Sequence, residues 1–306
     1  MPISRFADLL TFRKEPPREK TFAHIDAHAD EYLARLRRAC AQPSISAQGV
    51  GLTEMADLVA EMLRGVGFSV ELVPTAGPPV VLGRMAGQGP RTLLLYSHYD
   101  VQPVEPLDEW TTPPFEPDVR DGQFYARGVA DNKGAIVSRV CALEAYLAHH
   151  DALPLNIVWV IEGEEEVGSP HLAQFVDQYA HVLRETHGCL WESGSKNARD
   201  RYEISLGCKG LLYVSLRARG AARDLHSATA AVVGSPVWRL LWALNTLKHQ
   251  DERVRIPGFY DNVRPVSDAQ RQALAKWDYP EKEARTIYGL DQFLGGLSGE
   301  RLKERL

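Results

Sequence analysis

LLLYSHYDVQP (residues 93–103) is the stretch whose reading decides the fold. Its leucines read as a strand with no solvent face, and that strand ends in His98 and Asp100. Side chains alternate along a strand, so residues 98 and 100 share a side. A histidine with a carboxylate beside it is the usual arrangement for a metal-bound imidazole whose ring is held in one orientation. Taken alone, the pair can equally be a strand end reaching solvent.

Working outward, residues 68–74, 80–86, 155–163 and 187–195 also read as strands or strand ends bounded by Gly, Pro and polar residues. Residues 26–40, 53–67, 134–150 and 170–184 carry apolar residues at helical spacing. The alternation over 92–192 predicts an α/β domain with a mostly parallel, mixed sheet flanked by helices. Beyond it, residues 202–220 read as strands with a glycine kink, and 235–250 as a helix. A boundary is expected between 207 and 208, giving domains 1–207 and 208–306.

The 306-residue chain, 44% hydrophobic and 25% charged, is of ordinary globular composition and long enough for two domains. A formal net charge of -5 with no Lys/Arg-rich run argues against a nucleic-acid partner. Cys40, Cys141, Cys189 and Cys208 are scattered, with no C-x-x-C pair, which fits reduced thiols and a cytoplasmic location. Residues 1–20 do not resemble a secretory signal, and no apolar run is long enough to span a bilayer, so no membrane partner is expected.

Ligands of open α/β sheets sit beyond the C-terminal strand ends. Here one strand ends at His98 and Asp100, a second runs into EGEEEVGSP with Glu162, Glu164, Glu165 and Glu166, and a third ends at Glu192. The glycine-containing loop YARGVADNKGA presents Asp131 ahead of a helix, where an aspartate can also be a plain N-cap. Three adjacent carboxylates at the end of a buried strand repel each other unless a cation or proton neutralises them. His, Asp and Glu ligands suit zinc, with manganese or cobalt as substitutes. Two ions sharing an aspartate would activate water, and a nearby glutamate would shuttle its proton. No Gly-x-Ser-x-Gly elbow, phosphate-loop pattern or activated cysteine offers a rival chemistry.

YSHYDVQPV, the Trp110–Pro117 segment, YARGVADNKG, EGEEEVGSP and ARDLHSA, in that order, resemble the dinuclear zinc exopeptidase and deacylase family. That family includes carnosine-type dipeptidases, glutamate carboxypeptidase, aminoacylase and acetylornithine deacetylase, and the match leans to the dipeptidases. The resemblance implies a zinc aminopeptidase-like fold with a partial α+β lid or dimerisation domain inserted. It implies that His98 binds one of two divalent ions, Asp100 orients it, and Asp131 bridges the two ions, with a cis peptide expected between Asp131 and Asn132. Glu165 would be the general base, Glu166 would bind the other ion, and Glu192 would complete the first ion's set. His226 would help polarise the scissile carbonyl, often across a homodimer. Glu162 or Glu164 displacing Glu165 by register remains an alternative. The family's returning catalytic segment, with a last histidine ligand, is expected to be absent from residues 1–306. The expected activity is hydrolysis of dipeptides or short peptides; the alternatives are N-acyl amino acid deacylation by the same chemistry, or a non-catalytic metal-binding or dimerisation remnant.

Overall fold

The computed structural model describes residues 18–306 other than 193, 198, 200 and 206–208. The chain divides into two compact units, 1–193 and 194–306. The expected boundary at 207/208 falls outside the described residues, as does Cys208.

In the first unit, helices α1 (Arg18–Ala27), α2 (Ala29–Ala41) and α3 (Leu52–Gly65) precede strands β1 (Ser69–Val73), β2 (Val80–Met85) and β3 (Thr92–His98). A small hairpin, β4 (Asp118–Arg120) and β5 (Gln123–Tyr125), leads to α4 (Lys133–Leu147) and β6 (Asn156–Glu162). Helices α5 (Leu172–Gln178) and α6 (Ala180–Arg184) lead to β7 (Gly188–Trp191). The sheet order is β1-β2-β6-β3-β7. β3 pairs in parallel with both β6 and β7, whereas β1–β2 and β2–β6 are antiparallel. The sheet is therefore mixed, and its parallel part is the one that carries the strand ends of interest.

Alternation along β6 explains the layers. Ile157, Trp159 and Ile161 pack with Met55, Val59 and Leu63 of α3 and Ile136 and Val140 of α4. Val158 and Val160 face the other way, onto Phe175 of α5 and Tyr179. A strand buried on both faces has no polar alternation, which is why LLLY and IVWVI read as unbroken apolar runs. Each such side chain, taken out of water, contributes about 1.5–3 kcal/mol. The chain leaves β3 for β6 on one side and returns to β7 on the other. That reversal makes the C-terminal end of β3 the switch point of the sheet, where open α/β sheets hold their ligands.

The single helix expected over 170–184 is two, broken at Tyr179 (φ -104°, ψ 16°). There the Tyr179 ring stacks on Phe175 at 4.9 Å and its hydroxyl donates to Glu71 of β1. Burying that ring against the sheet outweighs continuation of the helix.

In the second unit, β8 (Ser195–Lys196) pairs antiparallel with β9 (Tyr202–Glu203). Helices α7 (Pro236–Leu247), α8 (Asp268–Lys276), α9 (Glu281–Tyr288) and α10 (Gly299–Arg305) follow. The helix expected over 235–250 is thus present, with Ser235 before it and Pro236 in its first turn. The strands expected over 202–220 are a correction. Among the described residues of that range only Tyr202–Glu203 is a strand, and residues 209–220 have no regular structure. Leu211 and Tyr213 are 91% and 89% exposed. Strand-forming side chains form a strand only when a neighbour pairs with their backbone, and among the described residues 209–220 have none.

Candidate metal centre

His98 closes β3 as a fully buried side chain, opposite Glu162 in the parallel register with β6. Its Nδ1 faces Asp100, 3.2 Å from the backbone O and 3.3 Å from Oδ1. Nε2 is left to point away, 2.8 Å from Asp131 Oδ1 and 3.9 Å from Glu165 Oε2. Burial works to lower the His98 pKa. The hydrogen bond and charge of Asp100, with Asp131 and Glu165, outweigh it and lift the pKa to about 9. Without a metal the ring therefore carries a proton at neutral pH, in the place where these carboxylates would otherwise share a cation.

Asp100 does more than face the histidine. It is fully buried, and its two carboxylate oxygens accept the backbone N–H groups of Glu165 and Glu166, each at 3.1 Å. One side chain thus ties the end of β3 to the acidic loop after β6.

That loop gives each carboxylate a different neighbour. Glu164 is drawn to His171 Nδ1 at 2.9 Å, away from His98. Glu162 Oε1 accepts hydroxyls from Tyr96 at 2.6 Å and Ser169 at 2.8 Å. Glu165 and Glu166 remain on the His98 side. Both have pKa values pushed up, first by burial and then by neighbouring carboxylates, with His98 opposing in each case. Glu166 also accepts from Gln102 Nε2 at 2.7 Å through Oε2. A loop glycine makes this possible: a Cβ on Gly163 would lie 2.4 Å from the Tyr99 ring.

Asp131 does not cap α4. Asn132 holds that position, without a side-chain capping bond, and Asp131 turns its carboxylate to His98 with 66% of the side chain exposed. The Asp131–Asn132 peptide is cis. Among the described residues, His98, Asp131 and Glu166 form a group able to hold a metal ion, offering one ligand atom each with all three within 4.8 Å of one another. One imidazole nitrogen and two carboxylates are a fitting donor set for a divalent ion such as zinc. Beside them, Asn132 is fully buried with both side-chain polar atoms unpartnered.

Glu192 follows β7 with φ 46° and is not in that group. Its backbone N donates to Tyr96 O at 3.0 Å, its carbonyl accepts from Arg139 Nη2, and Oε1 accepts from Trp191 Nε1 at 3.1 Å. His226 lies in the second unit, where Nδ1 accepts the Ala228 backbone N–H at 3.1 Å. Gln102 and Arg139 escaped the sequence reading. Gln102 was findable, since it continues the alternation of His98 and Asp100, whereas nothing local marks Arg139.

The family model for Peptidase family M20/M25/M40 matches residues 94–286. The chain belongs to this family. Among curated relatives, Beta-Ala-His dipeptidase of Mus musculus is 29% identical over 302 residues, covering 90% of this chain and 60% of that protein. Cys-Gly metallodipeptidase dug1 of Schizosaccharomyces pombe is 29% identical over 293 residues, covering 89% and 61%. An M20 family metallo-carboxypeptidase from Sulfolobus solfataricus superposes with a TM-score of 0.80 at 32% identity, covering 90% of this chain and 62% of that one. The chain spans about three-fifths of the length of these relatives. The matched segment contains His98, Asp100, Asp131, Glu165, Glu166, Glu192 and His226, and the mixed sheet flanked by helices is the architecture shared with that family structure.

Proposed function

We propose that this chain belongs to a metal-dependent dipeptidase that hydrolyses the peptide bond of dipeptides or short peptides. The observation that carries the reading is the meeting of His98, Asp131 and Glu166 within 4.8 Å, with Glu165 Oε2 3.9 Å from the same His98 nitrogen. His98 Nε2, Asp131 and Glu166 would hold divalent metal, zinc first, with manganese or cobalt as substitutes. Asp131, with Oδ1 2.8 Å from His98 Nε2, would serve two ions, and Glu192 would complete the set on the His98 side. Bound there, a divalent ion polarises a carbonyl and brings the pKa of water toward neutrality.

Asp100 holds the His98 ring so that Nε2 faces the site, and fixes the backbone from which Glu165 and Glu166 project. Glu165 is the general base. Burial makes its carboxylate more basic than usual, suiting it to take a proton from water at Oε2 and return it to the leaving amine. His226, in the second unit, would polarise the scissile carbonyl, and homodimerisation would run through that unit. Cys40, Cys141 and Cys189 are free, and no helix among the described residues is long and apolar enough to cross a membrane. We place the protein in the cytoplasm.

The test is hydrolysis of a dipeptide panel by zinc-loaded protein, with Glu165→Gln alongside. The variant is expected to keep its zinc and lose turnover on the order of 100-fold or more. Full activity in the variant would sink the base assignment, and hydrolysis of N-acyl amino acids with no dipeptide cleaved would sink the dipeptidase reading.

A further inference from the structure

Glu162 is a carboxylate that this chemistry does not use. It is 2% exposed and ends β6 opposite His98, yet it neither reaches the His98 ring nor joins the metal-ligand group. A buried carboxylate costs free energy unless hydrogen bonds compensate it, so its partners show what it is for. Both donors converge on one oxygen, Oε1: Tyr96 OH at 2.6 Å and Ser169 Oγ at 2.8 Å. Tyr96 belongs to β3 and stacks at 3.8 Å on Trp191, the residue before Glu192. Ser169 closes the acidic loop, with φ 52° and its N–H donating to Glu164 O at 2.8 Å. The loop is thus fixed from two sides: Asp100 accepts the N–H groups of Glu165 and Glu166, and Glu162 holds the far end through Ser169.

We infer that Glu162 is a positioning residue, whose side-chain oxygen clamps the 163–169 loop and so sets where Glu165 and Glu166 project. The inference rests on the metal reading above for its functional meaning, but the clamp itself is independent of any metal. Because both hydroxyls bond the same oxygen, an amide serves as well as a carboxylate. Glu162→Gln keeps the clamp, Glu162→Met removes it, and Ser169→Ala cuts the loop's end of it while leaving the buried glutamate and Tyr96 in place.

The experiment is amide hydrogen exchange on metal-free protein, read on peptides covering 163–169, followed by zinc titration of the same four proteins. In Glu162→Met and Ser169→Ala the loop is expected to exchange roughly tenfold faster, the size of one lost hydrogen bond, while α3 and β6 stay protected. Glu162→Gln should match the parent. Zinc affinity should follow the same order, falling about tenfold where the loop is loosened. Should Glu162→Met fail to fold, Ser169→Ala carries the comparison. Unchanged loop protection in Glu162→Met and Ser169→Ala overturns the inference, as does a Glu162→Gln loop as loose as that of Glu162→Met. Loosened loops in Glu162→Met and Ser169→Ala, beside a parent protein that takes up no zinc, support the clamp and instead contradict the metal reading.

Discussion

Asp100→Asn separates the two tasks that this buried aspartate performs, because one depends on pH and the other does not. Asparagine keeps one acceptor oxygen for the Glu165 and Glu166 N–H groups but turns an NH2 toward the other, which costs about 2 kcal/mol at any pH. The second task is the hold on protonated His98. Its pKa rises from 6.5 to about 9 in the folded protein, against the opposing effect of burial and through Asp100, Asp131 and Glu165. A folded-state pKa above the unfolded one means that the native state binds the extra proton. The resulting stability is fully present below pH 6.5 and is lost as pH climbs through about 9. The shift corresponds to about 3 kcal/mol, and Asp100, through its hydrogen bond and its charge, is the first of the groups that raise it against burial. Lys133 works in the opposite sense. Burial lowers its pKa from 10.5 to about 8, so its contribution favours folding increasingly as pH rises through that window. The charge of Asp100 is one of those that hold the Lys133 pKa up, so its loss in the variant deepens the deficit at low pH and fades as pH rises, in the same sense as the His98 effect. Urea unfolding of EDTA-treated protein should show a deficit of about 5 kcal/mol for Asp100→Asn at pH 6, narrowing to about 2 kcal/mol at pH 9.5. A deficit that stays constant or widens with pH would refute the assignment of the His98 proton to Asp100.

Gly163→Ala places a methyl group 2.4 Å from the Tyr99 ring, which is fully buried and donates its hydroxyl to Pro79 O at 2.7 Å. It should destabilise the first unit by at least about 2 kcal/mol in urea unfolding, and a neutral result would show that the loop relaxes freely. Zinc uptake near pH 7 should release close to one proton from His98, measured by calorimetry in buffers of different ionisation enthalpy. The apparent affinity should rise with pH until about 9, and a pH-independent affinity would contradict this.

The parallel core was legible because β3 and β6 are covered on both faces, leaving unbroken apolar runs that end abruptly in charge. A buried strand cannot finish on His98 or Glu162 without partners, so those ends announce a site. The antiparallel edge was less legible. β2 is largely buried and reads like a parallel strand, and only its register against Val158, Val160 and their neighbours reveals its direction. Within EGEEE, composition alone does not separate the glutamates. They differ through residues that sequence does not place beside them: His171 for Glu164, Tyr96 and Ser169 for Glu162, Gln102 for Glu166. Residues 209–220 have strand-forming composition yet form none, since strand formation is decided by a pairing partner and not by propensity.

Calorimetric titration of metal-free protein with zinc, run beside Asp131→Ala, tests the central claim most directly. If His98, Asp131 and Glu166 form the metal centre, the parent takes up zinc saturably, and the variant, lacking the carboxylate 2.8 Å from His98 Nε2, loses that uptake. No uptake by the parent, or the same uptake by both, would contradict it.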